Sequence, residues 1–124
     1  VKLLVDTHVV VWWLLDSPEL SDEVKDLLDT ESLVYVSAVT PWELAVKQSL
    51  GKLTGPADLP ERARDSQFRP MPITGLHGIR AGQLPPHHRD PFDRMLVAQA
   101  QTEGLTLVTR DKFIPLYDVP VLAV

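Results

Sequence analysis

Four acidic residues stand where an apolar segment ends or a helix begins: Asp6 after "KLLV", Glu43 in "TPWE", Asp93 in "DPFD" and Asp111 in "VTRD". Carboxylates brought together at one point repel each other unless a divalent cation lies among them. An all-oxygen donor set suits Mg2+, with Mn2+ as a possible substitute, and does not suit zinc. A cation held there lowers the pKa of a bound water and neutralises charge on a phosphodiester transition state. On this reading Asp6 and Asp93 are the direct metal ligands. Glu43 and Asp111 would bind through water, orient the attacking hydroxide or help to hold a second ion.

That chemistry needs elements that deliver the acids to one place. "KLLV" reads as a short buried strand, followed by a turn or helix start at Thr7 and His8 and a helix to about Leu15. A helix from about Asp22, capped by Ser21, and a strand over Leu33 to Val36 come next. "TPWELAVKQSLG" is punctuated as a helix, with Thr40 as cap, Pro41 first, Glu43 third and Gly51 as stop. "LPERARDSQ" is expected to be a short helix. The Pro- and Gly-rich segment after it allows a strand at Met71 to Ile73, a helix to about Ala81 and a loop. "DPFDRMLVAQAQTEG" is a second well-marked helix, and "LTLVT" and "VPVL" are strands. Strands alternating with helices predict a single α/β domain over residues 1–124, a three-layer α/β/α sandwich with a central mainly parallel, Rossmann-like sheet. In such sheets the functional crevice lies beyond the carboxyl ends of the strands. Asp6 and Asp111 follow strands; Glu43 and Asp93 open helices that would point to the same edge, with Trp42 and Phe92 packed inward beneath them.

Each acid also has a plainer reading. Glu43 and Asp93 could complete capping boxes, Asp111 could open a turn, and Asp90 caps its own helix more readily than it binds an ion. His8 is expected either buried and hydrogen-bonded or touching substrate. In "PPHHRD", His87, His88 and Arg89 could meet a phosphate or form an ordinary exposed loop. Thr109 could position a water or the Asp111 carboxylate through its hydroxyl. Arg94 and Arg110 flank the acids and could pair with them or engage an RNA backbone. Trp12 and Trp13 are adjacent, so one helix face can hardly bury both.

Composition narrows the classes. Seventeen acidic against 12 basic residues give a net charge of -5, which argues against a static nucleic-acid binder and less against a metal-dependent enzyme. There is no cysteine, so disulfides, thiolate catalysis and cysteine-bound zinc are excluded, and a cytoplasmic location fits. No stretch reaches the roughly 18 apolar residues of a membrane span, and Asp6 and His8 would interrupt a signal peptide.

With these motifs together, the chain resembles a PIN domain, and more narrowly the VapC-type toxin of bacterial type II toxin-antitoxin pairs. The resemblance is carried in order by "LLVDTHVVVWWL", "VSAVTPWELAVKQSLGKL", "LPPHHRDPFDRMLVAQAQTEGLTLVTRD" and "YDVPVL". It implies Mg2+-dependent endoribonuclease activity on an RNA substrate, inhibition by a small cognate antitoxin and a homodimer. The family acids match Asp6, Glu43, Asp93 and Asp111, with Asp6 and Asp93 the usual metal pair. Gly55 to Gln83 is the least family-like stretch, where substrate preference could differ.

Two rivals belong to other classes. A phosphoryl-transfer receiver or an aspartyl phosphatase also places an aspartate after its first strand. The phosphatase pattern needs a second Asp where this chain has His8, and the receiver needs an acidic pair before its first helix and a late lysine. A non-catalytic interaction module would fit the acidic balance and the paired tryptophans, and it predicts no metal-dependent cleavage.

Overall fold

The computed structural model describes residues 1–124. The elements run β1 (Leu3–Val5), α1 (Thr7–Leu14), α2 (Asp22–Thr30), β2 (Val34–Ser37), α3 (Val39–Ser49), α4 (Leu59–Arg64), β3 (Arg69–Met71), α5 (Gly75–Gln83), α6 (Pro91–Glu103), β4 (Thr106–Thr109) and β5 (Val121–Ala123). A 3-10 turn over Ile114–Leu116 lies between the last two strands. The five strands form one sheet in the order β3-β2-β1-β4-β5, and every neighbouring pair is parallel. The sheet is thus wholly, not merely mainly, parallel.

Alternation along the strands gives each face of the sheet its own core. Leu3, Val5, Val34, Val36 and Val108 join Val9, Val10, Leu28, Leu44 and Leu59 on one side. Leu4 and Leu107 join Leu96, Val97, Ala100, Ile114 and Tyr117 on the other. These two apolar layers make the α/β/α sandwich. Strand order turns outward in both directions from β1 and β4, and this reversal opens a crevice at their carboxyl ends.

Some boundaries differ from expectation. The third strand lies at Arg69–Met71, two residues before the expected Met71 to Ile73, because it pairs with Tyr35 to Ser37. The second ends at Ser37 rather than Val36. Helix α3 begins at Val39, ahead of Thr40, with the Ser37 hydroxyl accepting from the Val39 N–H at 3.0 Å. Thr40 is therefore not the cap, and Glu43 lies beyond the third helical position. Trp42 is 56% exposed and meets Phe92 edge to face at 4.9 Å, so it does not pack inward. No helix is long and apolar enough to cross a membrane.

Candidate active site

The β1–β4 register sets Val5 beside Val108, so the next residues, Asp6 and Thr109, leave the sheet together. Asp6 is buried, and both of its oxygens are engaged. Oδ1 accepts the His8 N–H at 2.9 Å, capping α1, and Oδ2 accepts the Thr109 hydroxyl at 2.5 Å. The same hydroxyl oxygen accepts the Asp111 N–H at 3.0 Å. Thr109 thereby fixes the Asp6 carboxylate and the backbone that carries Asp111. Burial is the main force raising the Asp6 pKa, and the hydrogen bonds from Thr109 and His8 only partly offset it.

Glu43 comes from α3, whose start is tied to α1 by a buried hydrogen bond between the Thr7 and Thr40 hydroxyls at 3.0 Å. Its Oε2 receives the Lys47 ammonium at 2.5 Å, one helical turn on. Its Oε1 is buried without any partner. Burial works against the charged Lys47, but Glu43, backed by Asp90 and Asp93, holds its pKa above the ordinary value. Lys47 is the member of the site that motif reading passed over; the i,i+4 spacing from Glu43 was the available signal.

Asp93 sits in the first turn of α6. Asp90 caps that helix, its Oδ1 accepting the Phe92 N–H at 2.8 Å and the Asp93 N–H at 3.4 Å. Burial, followed by the charges of Asp6, Asp90, Glu43 and Asp111, pushes the Asp93 carboxyl up to about 8. Asp111 moves the other way. Burial raises its pKa, but N–H groups of Phe113 and Ile114 and the His88 ring outweigh that and hold it low. His88 Nε2 lies 2.9 Å from Asp93 Oδ2 and 3.1 Å from Asp111 Oδ2. These three ligand atoms lie within 4.8 Å of one another, close enough to share an ion.

Other candidates fall elsewhere. The His8 side chain is 68% exposed rather than buried, and with Asp6, Trp12, Arg110 and Asp111 it lines an open cavity of about 280 Å³. Arg94 pairs with no acid. Its guanidinium donates to the carbonyls of Ala81, Leu84, Pro85 and His88, so it is not free for an RNA backbone. Arg110 donates to Glu19 and to the Val124 carbonyl and lies 4.5 Å over the Trp12 ring. Trp13 packs on Phe68 and donates to Asp29, so both tryptophans are partly buried by different partners. His87 and Arg89 are exposed, whereas His88 turns inward to the acids.

The sequence pattern of the PIN domain family matches residues 3–119. The chain belongs to the PIN domain family. Among its relatives, ribonuclease VapC22 of Mycobacterium tuberculosis is 29% identical over 113 residues, 89% of this chain and 87% of that protein. The solved structure of FitAcB from Neisseria gonorrhoeae superposes with a TM-score of 0.71 at 26% identity, covering 98% of this PIN domain and 96% of that chain. VapBC2 from Rickettsia felis, solved bound to a promoter DNA fragment, has a TM-score of 0.74 at 16% identity over 99% of this chain and 98% of its own, a likeness of fold. The acids of this PIN domain lie at the β1–β4 reversal, where the topology opens its crevice.

Proposed function

We propose that this PIN domain is a Mg2+-dependent endoribonuclease, the toxin of a type II toxin-antitoxin pair, which hydrolyses RNA phosphodiester bonds until a cognate antitoxin covers it. The observation that carries the reading is the convergence of charge on Asp93, whose carboxyl is driven to about 8 by burial and four neighbouring acids. A divalent cation relieves that repulsion, and the orphaned Glu43 Oε1 offers a further oxygen to the same cluster. Asp6 and Asp93 would hold Mg2+ or Mn2+, with Asp111 and Glu43 supporting them through water or at a second ion. Bound there, the cation supplies an acidified water and charge neutralisation at the phosphate.

The chain's own residues do the positioning. Thr109 and the His8 N–H leave Asp6 one orientation. Lys47 holds Glu43 Oε2 and leaves Oε1 without a partner, so Glu43 would support a bound cation or orient its water through that oxygen. Arg89, exposed in the loop that carries His88, would supply positive charge for the RNA backbone, which the overall charge of -5 does not. The name of ribonuclease VapC22 supports the nuclease part of the reading, and the antitoxin part rests on the VapC-type resemblance within the PIN domain family. A homodimer is proposed on the same family ground.

The test is cleavage of a panel of messenger, transfer and ribosomal RNAs with Mg2+, with EDTA, and with Asp6→Asn or Asp93→Asn. Loss of cleavage in all three controls is expected, by about a thousandfold or more for the substitutions if charge stabilisation dominates the rate. Cleavage that survives both EDTA and the substitutions would sink the mechanism.

A further inference from the structure

The open cavity beside the acids has walls that the metal chemistry leaves unused. Asp6 and Asp111 contribute to the lining of its roughly 280 Å³, and His8, Trp12 and Arg110 complete it. His8 and Trp12 stand four apart on α1, so they share one face of that helix. Their rings lie 6.1 Å apart and are tilted by 31°. The Arg110 guanidinium covers the Trp12 ring, 4.5 Å from its centroid. Three flat groups therefore line a cavity that also reaches the Asp6 and Asp111 carboxylates.

The charges around those groups say which flat ligand they suit. Each nitrogen of the Arg110 guanidinium already donates within the chain. Nε serves the Val124 carbonyl at 2.8 Å, and the other two serve the Glu19 carboxylate at 2.6 Å and the Glu19 carbonyl at 2.5 Å. The fork is committed and Glu19 offsets its charge, so Arg110 makes a poor clamp for a phosphate. Asp6 and Asp111 in the same cavity repel an anion as well. What the wall offers is the Arg110 plane backed by Trp12, together with a His8 ring that is 68% exposed. In RNA the flat, uncharged part is the base, and an unpaired base stacks on aromatic and guanidinium planes. We propose that this cavity is a base-binding subsite: an unpaired base beside the scissile phosphate stacks on His8 and on the Arg110–Trp12 pair, which makes these residues determinants of where the strand is cut. His8 acts there through the plane of its ring. The role in choosing the cut rests on the nuclease reading, whereas base binding can be read without metal or cleavage.

The probes are the four ribonucleosides, with free ribose as the control, titrated in EDTA and then in Mg2+. Two-dimensional NMR follows the His8 ring and the Trp12 indole N–H, the latter assigned with Trp12→Phe. At least one nucleoside is expected to shift both signals and to bind at least about fivefold more tightly than ribose, the lower end of what one stacked base supplies. His8→Ala should lose most of that advantage. His8→Phe keeps a flat ring without the imidazole and should hold it within about threefold. Thermal melts control for folding, and the exposure of His8 keeps its substitution out of the core. Nucleosides that bind no better than ribose, or equal losses in His8→Ala and His8→Phe, overturn the subsite. On RNA that the wild type cuts, His8→Ala is expected to raise KM about fivefold or to move the cut, with kcat changed less. An unchanged KM at unchanged cut sites overturns the role in choosing the cut. Base binding without any Mg2+-dependent cleavage would instead overturn the nuclease reading and leave the base site standing.

Discussion

Asp93 and Asp111 are the same residue type and both lie close to the His88 Nε2, at 2.9 and 3.1 Å, yet their acidities diverge. Asp111 is served by N–H groups of Phe113 and Ile114 and is held below the ordinary carboxylate range. Asp93 is buried against four other acids and pushed up to about 8. In the metal-free protein Asp93 therefore keeps a proton through a window from about 4 to about 8 in which the unfolded chain has already released it. The folded state binds more protons there, so stability falls as pH rises through that window, by at most about 1.4 kcal/mol per unit. Asp6, also raised, adds in the same direction. Chemical denaturation in EDTA at about pH 5 and about pH 8 should show the decline, and Asp93→Asn should flatten much of it. A wild-type stability that instead rises steadily toward about pH 8 would mean that Asp93 is not under this strain.

At the scale of elements, the sequence made the helices and strands legible wherever punctuation and burial agreed. "DPFD" marked the start of α6 because Asp90 caps it and Pro91 needs no N–H there. "TPWE" looks alike and misled, because tertiary packing used Thr40 differently, pairing it with Thr7 between two helix starts. The carboxylates were legible as a set because strand ends and helix starts share one sheet edge. Their partners were not, since Thr109 to Asp6 spans 103 positions and nothing local announces it. Arg94 shows the same limit: it directly follows Asp93, but its fork serves carbonyls at the end of α5 and in the α5–α6 connection. That connection carries His88, so Arg94→Met should free residues 84–90 while leaving the sheet intact. The expected result is a loss of about 1–3 kcal/mol, from carbonyls left without a donor, with amide exchange accelerated in that loop. Unchanged exchange over the loop would show that another contact holds it.

For the whole molecule, the acids matter because each comes from a different part of the sandwich. Asp6 ends β1, Glu43 lies in α3, Asp93 in α6 and Asp111 after β4. Those elements contribute to both apolar cores. Mutual repulsion at their junction pushes the layers apart, while a shared cation draws them together. If the site holds Mg2+, the ion binds the folded chain and not the unfolded one, and it must stabilise the entire fold by mass action. At a concentration of one hundred times its dissociation constant the gain is about 2.7 kcal/mol, several degrees in Tm for a chain of this size. Melting curves over a Mg2+ series should rise with the logarithm of concentration, return to baseline with EDTA, and lose the rise in Asp6→Asn. Matched NaCl series at equal ionic strength separate this from screening of the net charge of -5, which acts without a site. A rise of the same size with NaCl, or one retained by Asp6→Asn, would assign the stabilisation to general charge and remove the cation from the junction.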